Sequence, residues 1–184
     1  MFITEYIKDP SRTGAVSPSS KYVADKMLKD IKFSNSKVIV EYGPGTGVFT
    51  EKILARVSND TKVILIEINK HFYNVLKRLY GHKNNVIILN DSVENVDNIL
   101  EKYSIKEIDY IISGLPFASL PKETSDRILS KTKKILKNKG EFITFQYTLL
   151  KRKYLNMFLD EVSVDREVRN IPPAYVLRFK GKLK

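Results

Sequence analysis

Three carboxylates in the sequence each follow an apolar run: Glu41 in "VIVEY", Glu67 in "LIEIN" and Asp91 in "LNDS". A turn starts beside the first of them, "EYGPGTGVFT" (41–50), with Gly43, Gly45 and Gly47. Glycine admits positive φ and lets a ligand come close to the backbone. Two phosphate-binding patterns do not fit. The dinucleotide fingerprint needs G-x-G-x-x-G, and here the third glycine comes one position early. A phosphate loop ends in G-K-[ST], and no lysine follows. Glu41 would repel a phosphate and attract a cation. Glu67, about two dozen residues past the turn, is suited to accept both hydroxyls of a ribose. Asp91 is suited to accept an adenine amino group. A cationic nucleoside with no phosphate near the turn is therefore expected, and S-adenosylmethionine, with its ammonium and sulfonium, fits.

Such a constellation needs parallel strands ending side by side. The runs "KVIVEY" (37–42), "KVILIEI" (62–68), "VIILN" (86–90), "DYIISG" (109–114) and "EFITFQYT" (141–148) are rich in Val, Ile and Phe, as buried parallel strands are. Helical spacing lies between them: Phe49, Ile53 and Val57; Phe72, Val75, Leu76 and Leu79; Val96, Ile99, Leu100 and Tyr103; Ile128, Leu129, Ile135 and Leu136. Strand–helix alternation predicts an α/β, doubly wound sheet. "EVSVDREVRN" (161–170) and "IPPAYVLRFK" (171–180) add an antiparallel pair, giving seven strands in a mostly parallel sheet. The chain reads as a single domain, 1–184. Its first 35 residues form a helical lead-in, with "FITEYIKD" (2–9) and "SKYVADKMLKDI" (20–31) as helices.

Composition narrows the chemistry. The chain has 184 residues, no cysteine and two histidines, His71 and His82, so a metal cluster is not expected. No run approaches the roughly 18 apolar residues of a spanning helix. The start lacks the charged and apolar regions of a signal peptide, and a cytoplasmic location is expected. The formal net charge is +11. Between Lys122 and Lys153, ten basic residues face three acids, a field that draws nucleic acid or an anionic membrane surface.

With its glycine turn and its three acids, the chain resembles the class I S-adenosylmethionine-dependent methyltransferases, a family with a Rossmann-like seven-stranded sheet and a reversed last strand. "SGLPF" (113–117) stands where that family meets cofactor and acceptor. Ribosomal RNA adenine dimethylases carry N-[IL]-P-[YF] there, and Gly114 stands in place of the asparagine. Those enzymes also add a C-terminal helical domain, which is not expected here. "TGAVSPSS" (13–20), "SGLPF" and "RNIPPAYV" (169–176) are more similar to bacterial phospholipid N-methyltransferases, which methylate phosphatidylethanolamine. Departures from their pattern are Tyr175, where a basic residue is commoner, and the glutamine of "FQYT".

The resemblance implies a division of labour. Glu41, Gly43, Gly45, Gly47, Glu67, Asp91 and Ser113 would hold S-adenosylmethionine. Tyr147 and Tyr22 are candidate catalytic residues that bind the acceptor amine through hydroxyl or ring. Ser19, Ser20, Leu115, Pro116, Phe117 and Arg169 would bind substrate. Among these, Phe117 would stack or face a cation, Arg169 would meet the lipid phosphate, and the serines would cap a helix or close over the site. The expected partners are a phospholipid and an anionic membrane surface, with Phe2, Ile3, Tyr6 and Ile7 dipping into the interface. The expected location is cytoplasmic and peripherally membrane-associated. Two alternatives stay open: RNA adenine N6-methylation, and a non-catalytic nucleic-acid-binding module on the same fold.

Overall fold

A computed structural model describes residues 21–136 and 140–181. The expected helix over 2–9, with Phe2, Ile3, Tyr6 and Ile7, and the serines Ser19 and Ser20 lie outside the described residues. The seven strands are β1 (Val38–Tyr42), β2 (Lys62–Ile66), β3 (Val86–Leu89), β4 (Tyr110–Ser113), β5 (Glu141–Gln146), β6 (Leu159–Glu167) and β7 (Ala174–Gly181). They form one sheet in the order β3-β2-β1-β4-β5-β7-β6. The first five are mutually parallel. β7 is antiparallel to both β5 and β6, so it alone runs against the rest. This is the doubly wound, seven-stranded sheet with a reversed last strand that the sequence predicts.

The helices are α1 (Lys21–Leu28), α2 (Val48–Leu54), α3 (Lys70–Tyr80), α4 (Val96–Lys102), α5 (Lys122–Leu136) and the single turn α6 (Arg152–Leu155). Side chains alternate across a strand, so each strand feeds two cores. Val40, Tyr42, Ile64 and Ile66 pack with Ile99 and Leu100 of α4 and Ile128 and Leu129 of α5. Ile39, Val63, Leu65 and Ile112 pack on the other face with Met27 of α1, Phe49 and Ile53 of α2, and Leu76 of α3. Glu41 falls two residues after Ile39, and Glu67 two after Leu65. Both acids therefore belong to the α2–α3 face.

The stripe expected on α3 is narrower than its spacing implies. Leu76 is buried, but Leu79 is 48% exposed, because α3 covers the outer β3 end of the sheet. The basic stretch is also less free than its count suggests. Lys122 pairs with Asp126, Arg127 with Glu94, Lys131 with Asp97, and Arg152 with Glu161. Among the described residues, no helix is long and apolar enough to cross a membrane.

Candidate active site

Tyr42, Ile66 and Leu89 stand level across β1, β2 and β3. Glu41 lies one residue inside that line, Glu67 one beyond it and Asp91 two beyond it. Burial follows this stagger: Glu41 is fully buried, Glu67 is 4% exposed and Asp91 is partly open. The three acids thus form a ramp from the core to the carboxyl edge of the sheet, where open α/β sheets bind ligands.

The glycine turn bends over this ramp. Gly43, Gly45 and Gly47 have φ of +62°, +56° and +88°, a region in which L side chains are strained. Gly45 shows why the turn is glycine-rich. Its N–H donates to Glu67 Oε2 at 2.9 Å, and a Cβ built there would meet nothing within 4 Å. The backbone at Gly45 is thus open on its outer side and tied to a carboxylate on its inner side. Glu67 Oε1 accepts from the amide of Asn69 at 2.7 Å. Asn69 in turn caps α3, accepting from the amides of His71 and Phe72. Burial raises the Glu67 pKa, against the pull of these backbone donors.

Glu41 is not the open carboxylate expected from its place near a strand end. Strand parity turns it into the α2 layer. Its Oε2 accepts from Thr50 Oγ1 at 2.7 Å, and its buried Oε1 has no hydrogen-bond partner. Burial pushes its pKa up to about 8; the Thr50 hydroxyl opposes that shift and the neighbouring Glu67 charge adds to it. Asp91 Oδ1 accepts from the Ser92 amide at 2.7 Å and from Asn95 Nδ2 at 2.8 Å, which aims the carboxylate along the rim.

The "SGLPF" stretch leaves β4 next to the turn. Ser113 is fully buried and its hydroxyl accepts from the Leu115 amide at 3.2 Å, so it holds the bend. A Cβ on Gly114 would stand 2.9 Å from the carbonyl oxygen of Gly43, a backbone atom that cannot step aside alone. Two glycine-containing segments are thus pressed together, and no side chain fits at 114 without moving one of them. Leu115 and Pro116 are part-buried at the edge. Phe117 departs from expectation. It is fully buried, edge-on to Phe142 with ring centroids 6.1 Å apart, because the turn after Pro116 carries it into the α4–α5 core. It presents no face for stacking. Gln146, the unmatched glutamine of "FQYT", donates from Nε2 to the Leu115 carbonyl at 3.1 Å and so braces this loop from β5.

Farther along the same edge, Tyr147, Tyr22 and Arg169 gather around the β6–β7 connection. Tyr147 is half-buried just past β5, edge-on to Phe145 and hydrogen-bonded to Asn170; burial raises its pKa. Arg169 lies over the Tyr22 ring, 4.6 Å from its centre. Its guanidinium donates to both oxygens of Glu167, at 2.8 and 2.9 Å. Arg169, expected to meet the lipid phosphate, is thus ion-paired with Glu167, and its side chain stays 60% exposed. Strand pairing brings Glu167 opposite Ala174, and there the arginine finds a buried carboxylate held down at about 2. Glu167, Asn170 and Thr50 carry no signal in the sequence, and Gln146 stands out there only as a departure from the family pattern. Their roles depend on partners 2 to 31 residues away, as in Arg169 with Glu167 and Gln146 with Leu115.

The residues present fit S-adenosylmethionine. They offer an open backbone turn, a buried carboxylate tied to that turn (Glu67), a partly open one beyond it (Asp91), and a third whose second oxygen lacks a partner (Glu41). A separate polar cavity of about 340 Å³ between α1 and β6 does not fit. It is lined by Asp25, Lys26, Lys29, Asp30, Asp165 and Arg169, whose opposite charges balance. Among the described residues no group of His, Cys, Asp or Glu could hold a metal ion.

Comparison with known proteins agrees. The family described as ribosomal RNA adenine dimethylase matches residues 19–164. An ornithine lipid N-methyltransferase of Singulisphaera acidiphila is 32% identical over 183 residues, covering 98% of this chain and 95% of that protein. A ribosomal RNA small subunit methyltransferase A of a Sulfurihydrogenibium species is 33% identical over 111 residues, covering 60% of this chain and 42% of that protein. Among solved structures, an N-methyltransferase of Bradyrhizobium japonicum in complex with S-adenosyl-L-homocysteine superposes with a TM-score of 0.71. It covers 95% of this chain and 93% of that one at 12% identity, a likeness of fold. Turn, acid ramp, sheet order and relatives converge: the chain is an S-adenosylmethionine-dependent N-methyltransferase and belongs to the ribosomal RNA adenine dimethylase family.

Proposed function

We propose that this chain methylates the amine of a membrane lipid headgroup, phosphatidylethanolamine or another amino lipid such as ornithine lipid. Gly114 is the observation that carries this choice over RNA. An adenine acceptor needs a side-chain carbonyl where Gly114 stands, and the Gly43 carbonyl 2.9 Å from its missing Cβ leaves no room for one. The near full-length similarity to the ornithine lipid enzyme supports the same reading. The family match and the basic charge favour RNA as the second reading.

S-adenosylmethionine supplies a methyl group already activated on a sulfonium, so the protein's work is alignment and exclusion of water. Gly43–Gly47 and Glu67 hold the cofactor, with Asp91 at its adenine end. Glu41 lies beneath as a buried carboxyl whose Oε1 has no hydrogen-bond partner, and a cationic cofactor above it would favour its ionised form. The acceptor amine is an ammonium in water, with a pKa of about 10. An apolar surrounding of Leu115, Pro116 and Tyr147 favours its neutral, nucleophilic form. Tyr147 positions it, and Tyr22 is held nearby by Arg169.

The test follows radiolabelled methyl from S-adenosylmethionine into three acceptors side by side: vesicles with phosphatidylethanolamine, vesicles with ornithine lipid, and ribosomal RNA. Label is expected in lipid. Gly114→Asn, which restores the dimethylase side chain, is expected to lose lipid activity more than tenfold and to gain none on RNA. Label confined to RNA would overturn the lipid reading, whereas RNA activity created by the asparagine would show instead that position 114 has room for that side chain.

A further inference from the structure

Two exposed apolar tips leave the sheet at the edge that carries the candidate acceptor site. Most large apolar side chains among the described residues are buried, but Leu150 is 87% exposed, Val168 63% and Ile171 86%. Leu150 follows β5, three residues past Tyr147. Val168 and Ile171 flank the β6–β7 connection, whose Asn170 is hydrogen-bonded to Tyr147. The register fixes their common side: Gln146 of β5 faces Tyr175 of β7, and Glu167 of β6 faces Ala174. Both connections therefore project beyond the carboxyl end of the sheet.

The frame beneath the tips is stiff. Asn170 donates to the Pro172 carbonyl at 2.5 Å, and Glu167 clasps the Arg169 guanidinium and backbone amide. Pro172 and Pro173 are exposed and offer no amide hydrogens to a strand partner. A rigid apolar hairpin tip therefore stands out from the protein with no side chain of the described residues folded over it. Basic residues neighbour the tips along the chain: Lys151 and Lys153 follow Leu150, and Arg166 precedes the hairpin, with Lys153 and Arg166 exposed. Lys131, Lys133 and Lys134 are not part of this group, because α5 carries them back toward the opposite edge of the sheet.

We infer that this edge is the membrane-docking face, with the β6–β7 tip and Leu150 entering the headgroup layer of an anionic bilayer and Lys151, Lys153 and Arg166 meeting lipid phosphates. The inference rests on the lipid reading above, and it adds which surface finds the bilayer. Aliphatic tips decide for a bilayer over RNA. Single-stranded nucleic acid is gripped by stacking on aromatic rings, whereas Leu, Val and Ile have no π-face and gain by leaving water for acyl chains. Positive charge around apolar tips complements anionic headgroups. Docked this way, Tyr147 and Tyr22 face the membrane, and a headgroup reaches them without the lipid leaving the bilayer.

Flotation with vesicles of phosphatidylglycerol and phosphatidylcholine, which contain no methylatable amine, separates docking from catalysis. Wild-type protein is expected to float, and more weakly as salt rises. The double variant Leu150→Glu, Ile171→Glu is expected to lose vesicle binding at least tenfold. It should keep its thermal midpoint, its affinity for S-adenosylhomocysteine and its activity on amino lipid dispersed in detergent. A milder variant, Ile171→Ser, covers the case in which the glutamates disturb folding, and is expected to lose binding severalfold. Undiminished flotation of either folded variant overturns the docking face, as does wild-type protein that captures RNA but no vesicles. Flotation that depends on Leu150 and Ile171, without methylation of any lipid, would leave the face standing and refute the lipid reading instead. Lipid methylation in detergent with no flotation would do the reverse.

Discussion

Glu67→Ala is expected to weaken S-adenosylhomocysteine binding by a hundredfold or more while the protein stays folded. The carboxylate has two tasks. Its Oε2 ties down the Gly45 amide and its Oε1 the Asn69 amide, at 2.9 and 2.7 Å. In the proposed complex it also accepts from ribose hydroxyls. Hydrogen bonds to a charged group are worth about 1.5–3 kcal/mol each. Losing two amounts to about 3–6 kcal/mol, which is a hundredfold or more in affinity. Glu67→Gln is informative because it is nearly isosteric. Whichever way the amide turns, its NH₂ meets a backbone N–H, either Gly45 or Asn69. The conservative variant should therefore also lose affinity, by about tenfold for one spoiled bond. Calorimetry with wild type and both variants reads the effect directly. Affinities within threefold of one another would remove Glu67 from the cofactor site.

The second large effect is on stability and comes from Glu41. Its folded pKa of about 8 stands well above the ordinary carboxyl value of 4.5. Between those values the folded protein holds a proton that the unfolded chain has released. Stability is therefore greatest below the unfolded value and falls as pH rises through about 8, by at most about 1.4 kcal/mol per pH unit from this one group. Glu41→Gln cannot ionise and should flatten the slope. The difference between wild type and variant, measured by urea unfolding at pH 5, 6.5 and 8, isolates Glu41 from other titrating groups. At pH 8 the variant should be the more stable by a few kcal/mol. Parallel curves would show that Glu41 is solvated after all.

The sheet was legible in the sequence because parallel strands buried on both faces are near-continuous apolar runs, and all five such runs are strands. The reversed β7 was legible as well, since a short proline-containing turn leaves an antiparallel return as the simple path. The acids were legible in position but not in exposure. Three residues of stagger against the sheet edge separate buried Glu41 from part-open Asp91, and a strand's last residue cannot be fixed finely enough from composition to show it. Phe117 was read as a stacking ring because it neighbours the acceptor loop. Whether a ring turns outward or inward depends on core packing against Phe142, which lies 25 residues away in sequence. The ion pair of Arg169 was not legible because its partner, Glu167, looks like an ordinary exposed strand residue until β7 covers it. Gly114 was read as an absent asparagine. The structure adds why glycine stands there: the Gly43 carbonyl occupies the space.

The central claim is that the cofactor lies along the ramp formed by the glycine turn, Glu67 and Asp91. Hydrogen exchange with and without S-adenosylhomocysteine tests it segment by segment, with no need for an acceptor. The account predicts slowed exchange in 43–48, 67–69 and 91–95, the three segments that meet at the carboxyl ends of β1, β2 and β3. Protection confined to the cavity between α1 and β6, around Asp25, Lys29 and Asp165, with the glycine turn unchanged, would contradict it.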